Sequence, residues 1–463
     1  MAQPSEVPEN EIDFIVTPEP APQTFQVDED CGSPSIKDGI LPADGPGAEG
    51  FSNVALLALI VGVPGLYKLG SGKGWVPTTL AAVLTSFPLL AGFWYFSSTL
   101  TPRKNQKVKL PGRPIEHYLK FYKKADKIKY RGNNKIPIDT FQELYFNGDV
   151  EFNGDALEVL EYRHDWANFR FTYRLFKYFL LSFVPETKSK SAGTMTVGTI
   201  FTPGLESGDT MLDIGCGWGT LARYASTNYG AYVIGITLGR NQTVWGNSGL
   251  RADGIAEEQS KVLCMDYRDI PRTTFAKIAC LEMAEHVGIR HFSSFLKQVY
   301  NLLDDDGVFV LQLSGLRKPW QYEDLIWGLF MNKYVFPGAD ASTPLGFYID
   351  QAEGAGFEVK SIDTIGIHYS ATAWRWYRNW LGNRSKVEEK YGKRWYRIWE
   401  YFLASTTIAS RQGTATCYQI TLVKNLNSTQ RTGGIQTQFA ISGALAARED
   451  VSLRKASNSK SSP

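Results

Sequence analysis

The residues with most chemistry to offer lie in one stretch, Leu212-Asp213-Ile214-Gly215-Cys216-Gly217-Trp218-Gly219. Residues 210–215 read as a short apolar strand that runs into three glycines at alternate positions. Glycine lets a backbone approach a ligand where a Cβ would clash. A dinucleotide-binding turn wants G-x-G-x-x-G; this turn is G-x-G-x-G, with an acid just before it. A carboxylate at that place attracts an ammonium group and repels a pyrophosphate. The ligand so selected is S-adenosylmethionine (SAM), zwitterionic at its methionyl end and cationic at its sulfonium. Asp213, Gly215, Cys216, Gly217, Trp218 and Gly219 form the candidate cofactor loop, against the alternative of a tight structural turn.

Four further groups follow expected strand ends. Thr237-Leu238-Gly239-Arg240-Asn241-Gln242 closes a second strand, where a ribose would lie. It carries no acid, so Thr237 and Gln242 would supply the hydrogen bonds. Asp266-Tyr267-Arg268-Asp269 follows a third strand, and an adenine could stack on Tyr267. Glu282-Met283-Ala284-Glu285-His286-Val287-Gly288 follows a fourth and faces the reaction centre. Tyr369 follows a sixth; alone it would read as a core residue.

The elements that must position these residues alternate. Strands are expected at 210–215, 231–237, 261–265, 277–281 and 308–313, with helices between them and two later strands at 357–362 and 415–423. That order implies an α/β fold, a Rossmann-like parallel sheet with helices on both faces. Such sheets bind ligands at the carboxyl ends of their strands.

The chain has 463 residues, 43% apolar and 21% charged, which excludes a wholly disordered or fibrous protein. A net charge of +2 gives no overall reason to expect nucleic-acid binding. The cysteines, Cys31, Cys216, Cys264, Cys280 and Cys417, have neither metal-ligand spacing nor the pattern of a disulfide framework, which suits a reducing compartment.

Charge is uneven along the chain. Residues 1–50 hold eleven acidic residues, one basic residue and eight prolines, and read as a disordered acidic tail. Residues 51–100 read as a transmembrane hairpin. The uncharged run 75–98 is long enough to cross a bilayer; the run 54–67, broken by Gly62, Pro64 and Gly65, crosses only if its helix extends to Leu69, and is otherwise re-entrant. Residues 101–200 form a basic, amphipathic, membrane-proximal region. Twelve Lys or Arg against two acids between 103 and 135 favour a cytosolic position for both hairpin ends. The aromatic, basic stretch 156–184 suits a helix on a membrane or a buried domain helix equally. Residues 185–200 read as a linker, 201–424 as the catalytic unit and 425–463 as a disordered tail.

Together D-I-G-C-G-W-G, I-T-L-x-x-N-Q, D-Y-R-D and E-H-V-G resemble the cyclopropane-fatty-acyl-phospholipid synthase and mycolic acid methyltransferase family over 208–424. The hairpin and the stretches 280–287 and 327–345 are similar, more specifically, to the fungal sphingolipid C9-methyltransferases. The resemblance implies a SAM-dependent enzyme in a membrane, that of the endoplasmic reticulum, with its catalytic unit cytosolic. Its substrate would be a ceramide of the glucosylceramide pathway, methylated at C9 of a sphingoid base with a double bond at C8. By position, Asp213 and the three glycines would hold the methionyl part of SAM, Thr237, Leu238 and Gln242 the ribose, and Tyr267 and Arg268 the adenine. Glu285 and Tyr369 match the residues that hold an active-site bicarbonate in that family.

Three departures stand out. Gln312 and Ser405-Thr406-Thr407 replace a histidine and a cysteine of bacterial members, and 183–202 lacks a family segment that caps SAM. In the expected reaction, methyl transfer to C9 leaves a cation at C8, stabilised by Glu285 or by bicarbonate beside it. Loss of the C9 proton then gives a branch, and loss of a methyl proton a ring. The alternatives are a cyclopropane synthase acting on phospholipid acyl chains and a catalytically impaired paralogue.

Overall fold

The computed structural model describes residues 34–37, 45, 47, 51–72, 74–101, 109–180, 205–337 and 343–427. The linker 185–200, the shortened stretch 183–202 and nearly all of both expected tails lie outside these residues. At the described tail positions, disorder does not hold. Gly45 N–H donates to Gln321 Oε1 at 3.0 Å, and Arg411 donates to Ser35 O at 2.8 Å. These contacts satisfy side-chain groups that the fold largely buries, which fixes the backbone supplying the partners.

Two helices come first, α1 (Asn53–Ser71) and α2 (Trp75–Leu100). Helix α1 runs unbroken through Pro64, capped by Ser52 Oγ at one end and by Gly72 (φ 62°) at the other. Its 19 residues span about 28 Å, so the break that the sequence suggested is not made. Both helices are long and apolar enough to cross a membrane, and only 6% of either apolar window is buried. The base of α2 is fastened to the rest of the molecule. Trp94 packs on Phe171 and Trp320, with ring centroids 4.9 and 6.4 Å apart, and Phe171 N–H donates to Ser98 Oγ at 2.9 Å.

Over its described part, 156–180, the stretch 156–184 does not form one helix. It breaks into α4 (Ala156–Glu161), a short turn Arg163–Trp166 and α5 (Tyr173–Tyr178). Together with α3 (Ile138–Asn147) it is buried in one apolar core with residues from 326–408. Polar ties reinforce this: Arg411 pairs with both Glu161 carboxylate oxygens at 2.7 Å, and Tyr145 Oη donates to Glu400 at 2.6 Å.

The catalytic unit is a seven-stranded sheet. In chain order its elements are β1 (Thr210–Ile214), α6 (Thr220–Tyr229), β2 (Tyr232–Thr237), α7 (Arg240–Ala252), β3 (Ser260–Cys264), β4 (Phe275–Leu281), α8 (Ile289–Leu302) and β5 (Leu303–Leu316). Then follow α9 (Tyr322–Phe330), α10 (Leu345–Gly354), β6 (Phe357–Thr364), α11 (Gly366–Gly382), α12 (Arg384–Tyr391), α13 (Lys393–Arg411) and β7 (Ala415–Lys424). The strand order is 6-7-5-4-1-2-3. Strands β1 to β5 are parallel, but β7 slots antiparallel between β5 and β6, so the sheet is mixed rather than wholly parallel. Apolar faces of α8 and α10 cover one side of it in a second core. The strand order reverses at β1 and β4, which opens the crevice where ligands bind.

Candidate active site

The glycine loop leaves β1 at the sheet's centre. Gly215 and Cys216 N–H groups both donate to Ile236 O at 2.9 Å, which pins the turn to β2. Gly215 sits at φ 79°, and a Cβ there would meet Met283 Cβ at 2.5 Å. The loop therefore packs directly against the turn that carries Glu282 and Glu285. Asp213 is 2% exposed, and its Oδ2 has no hydrogen-bond partner among the described residues. Burial pushes its carboxyl up to about 7. A buried carboxylate with an unpartnered oxygen beside a glycine turn fits a cationic amino-acid ligand. Burial, then Asp213, pushes the Cys216 thiol well up, so it stays protonated. Trp218 meets Trp245 edge to face at 6.1 Å.

At the end of β2, Thr237 Oγ1 donates to Gln242 Oε1 at 2.7 Å, and Leu238 is exposed. The two expected ribose partners are thus brought together, paired with one another. After β3, Tyr267 lies edge-on to Phe295 at 5.3 Å. Arg268 is turned onto Asp266, with Nε at 2.8 Å, so its charge is matched locally.

The other half of the site grows from β4, β5, β7 and α11. A 3₁₀ turn, Ala284–His286, carries Glu285, which is buried. Ser314 N–H donates to Glu285 Oε1 at 3.4 Å, and Oε2 has no partner among the described residues. Burial first, then the neighbouring Glu282, pushes the Glu285 carboxyl up to about 8. Burial holds the His286 imidazole below its ordinary value. Tyr369, on the first turn of α11, is joined to this group through Gln312. Gln312 Nε2 lies 3.0 Å from Glu282 Oε1 and 3.3 Å from Tyr369 Oη, while Gln419 donates to Gln312 Oε1 at 3.2 Å. Glu285 and Tyr369, far apart in sequence, therefore meet at one end of one cavity.

That cavity holds about 1100 Å³. Glu282, Glu285 and Tyr369 share one end of it through Gln312; the lining also carries charged groups, among them Arg317, Lys318, Lys386 and Lys390, and is otherwise mostly apolar, with Trp320, Trp327, Trp376 and Trp399. These tryptophans come from two stretches far apart in the chain, 320–336 and 374–402, which the fold brings to one cavity. Trp320 also touches Trp94 of α2, so the wall of the cavity is continuous with the base of the hairpin.

Sequence reasoning passed over two members of this group. The motif that contains Glu282 gives that residue no role, and Gln312 stands in the sequence only where bacterial relatives have a histidine. Glu282 has φ 54°, the single positive value among the described non-glycine residues. Such a backbone costs about 1–3 kcal/mol, and nothing in the sequence announces it.

A seven-stranded α/β sheet with an acid-and-glycine loop at its switch point, packed against the turn whose Glu282 and Glu285 line a mostly apolar cavity, defines a SAM-dependent methyltransferase of lipids. Residues 196–420 match the family described as mycolic acid cyclopropane synthetase. The chain is 55% identical to sphingolipid C9-methyltransferase A of Emericella nidulans over 94% of this chain and 95% of that one. It is 52% identical to sphingolipid C9-methyltransferase 2 of Gibberella zeae over 100% and 99%. The cyclopropane-fatty-acyl-phospholipid synthase of Escherichia coli is 29% identical over 48% of this chain and 56% of its own. The chain belongs to the sphingolipid C9-methyltransferase family. The match to the Gibberella protein runs over 517 aligned positions against 463 residues here, so at least 54 of them have no counterpart in this chain.

Proposed function

We propose that this chain transfers a methyl group from SAM to C9 of the C8-unsaturated sphingoid base of a ceramide. The observation that carries the reading is the mostly apolar cavity of about 1100 Å³ lined by Glu285 and Tyr369, with the glycine loop packed on Met283 of the turn that supplies Glu282 and Glu285. Asp213 with Gly215, Cys216, Gly217, Trp218 and Gly219 would hold the methionyl end of SAM. Thr237, Leu238 and Gln242 would meet the ribose, and Tyr267 the adenine; Arg268, matched by Asp266, would flank it. Bound there, SAM supplies an electrophilic methyl group.

The chain's own residues do the rest. The Trp-lined walls hold the acyl and sphingoid chains and keep water from the cation. Glu285, in its ionised form, is the fixed anion that stabilises positive charge developing at C8. Gln312 and Tyr369 fix the polar end around it. A bicarbonate at that place would set a third negative charge beside Glu282 and Glu285. It fits only with Glu285 protonated.

We further propose a division into a membrane anchor at 51–100 and a catalytic unit at 201–424, with the hairpin in the endoplasmic reticulum and both of its ends cytosolic. Exposed Lys120, Lys123, Lys124, Lys127 and Lys129 support contact with anionic lipid heads. Asn241, Asn383 and Asn427 stand in N-x-[ST] sequons and are exposed. They are expected to stay bare in cells, read as unchanged gel mobility after glycosidase; a shift would reverse the orientation.

The function is tested by sphingoid-base mass spectrometry of a strain lacking its own enzyme and complemented with this chain. C9-methylated bases are expected. A ring-containing acyl product would mark a cyclopropane synthase instead. No new product, with SAM binding no tighter than millimolar, would mark a silent paralogue, which the missing aligned positions would explain.

A further inference from the structure

The reaction needs a base, and its placement decides between a branch and a ring. We propose that Glu282 is that base, taking the proton from C9 once the methyl group has joined it. The inference rests on the reading above, that the substrate is an alkene held in this cavity.

Three observations carry it. Glu282 lines the polar end of the cavity beside Glu285. Its backbone is held at φ 54°, a conformation that a side-chain-bearing residue adopts only when its surroundings impose it. The surroundings that do so are built for its carboxylate: Gln312 Nε2 donates to Oε1 at 3.0 Å, the Cys417 thiol donates to the same oxygen at 3.5 Å, and Glu282 N–H is tied to Gln312 O at 2.8 Å. Burial keeps Cys417 protonated, so it remains a donor. Two carboxyl groups three residues apart then divide the work. Glu285 faces the charge at C8, and Glu282 accepts the proton. The C9–H bond breaks, its electron pair becomes the C8=C9 double bond, and the proton passes to Glu282. With Glu282 absent, Glu285 is the carboxylate left beside the reacting carbons: a C–H bond of the new methyl group breaks, its electron pair closes the ring on C8, and the proton passes to Glu285.

The test uses the full chain in micelles with SAM and a C8-unsaturated ceramide carrying deuterium at C9. Wild type is expected to release the label. Glu282→Gln and Glu282→Gly are expected to bind SAM unchanged and to turn over at least ~100-fold more slowly, with residual product shifted to a ring that keeps the label. Glu282→Gly removes the Cβ from the strained backbone, so its thermal midpoint should match or exceed wild type, which separates lost chemistry from lost folding. Either variant making label-free branched product within about threefold of wild type overturns the inference. A wild-type chain that methylates no ceramide overturns the underlying reading, and this inference with it.

Discussion

Glu285→Gln is expected to bind SAM as wild type does and to lose methylated product by ~10²–10³-fold in turnover. The size follows from where the residue sits. Glu285 is 8% exposed at the end of an apolar cavity, its Oε2 has no partner among the described residues, and only the Ser314 N–H reaches Oε1. An anion in so dry a place interacts with a cation several-fold more strongly than it would in water. The amide keeps shape and volume but offers no charge when C8 becomes cationic. Because Glu285 belongs to the lipid cavity and not to the glycine loop, calorimetric SAM affinity should not move while single-turnover methyl transfer collapses. Unchanged product from this variant would remove Glu285 from the mechanism.

Asp213→Asn should have the opposite signature, losing about 100-fold in SAM affinity at pH 8, about 3 kcal/mol, as expected for removing one partner of a buried charge pair. The pH dependence makes the test specific. Burial raises the Asp213 carboxyl from 3.8 to about 7, and a cationic amino group selects its ionised form. SAM binding by wild type should therefore weaken by about tenfold per pH unit below 7, and the Asn variant should be flat over the same range. The sign for stability runs the other way. A carboxyl with a raised folded pKa stabilises the free protein below its unfolded value and loses that contribution as pH rises through about 7. Free Asp213→Asn should thus melt above wild type at pH 8 and level with it near pH 4. A variant whose SAM affinity stays within about threefold of wild type at pH 8 would exclude Asp213 from the cofactor site.

Local pattern was enough for much of this. The alternation of apolar runs and glycine turns places all seven strands of the sheet to within five residues at either end, the largest difference being the early start of β5 at Leu303, because strand period and turn chemistry are short-range properties. The acid and glycines of 213–219 were legible for the same reason: the residues that shape the loop are contiguous. What contiguity could not supply was direction and encounter. That β7 runs antiparallel between β5 and β6 is a choice of sheet edge, and it brings Cys417 and Gln419 onto the groups around Gln312. That 156–180 breaks into short buried pieces was hidden by its own composition. An aromatic, basic stretch looks alike against a bilayer or a core, and only helix α13 laid across it decides which.

By itself the sequence determined the class of cofactor, the succession of strands along the chain and the membrane-length apolar run 75–98, because each rests on residues that are neighbours in the chain; whether 53–71 makes one helix through Pro64 it left open. The tertiary structure alone decided that Glu282, Glu285, Gln312, Tyr369 and Cys417 share the end of one cavity, and that Glu282 sits on a left-handed backbone there. The reason is physical: burial, dielectric and the approach of residues 135 positions apart arise only when the sheet closes, and those are the quantities that set a carboxylate's charge and reach.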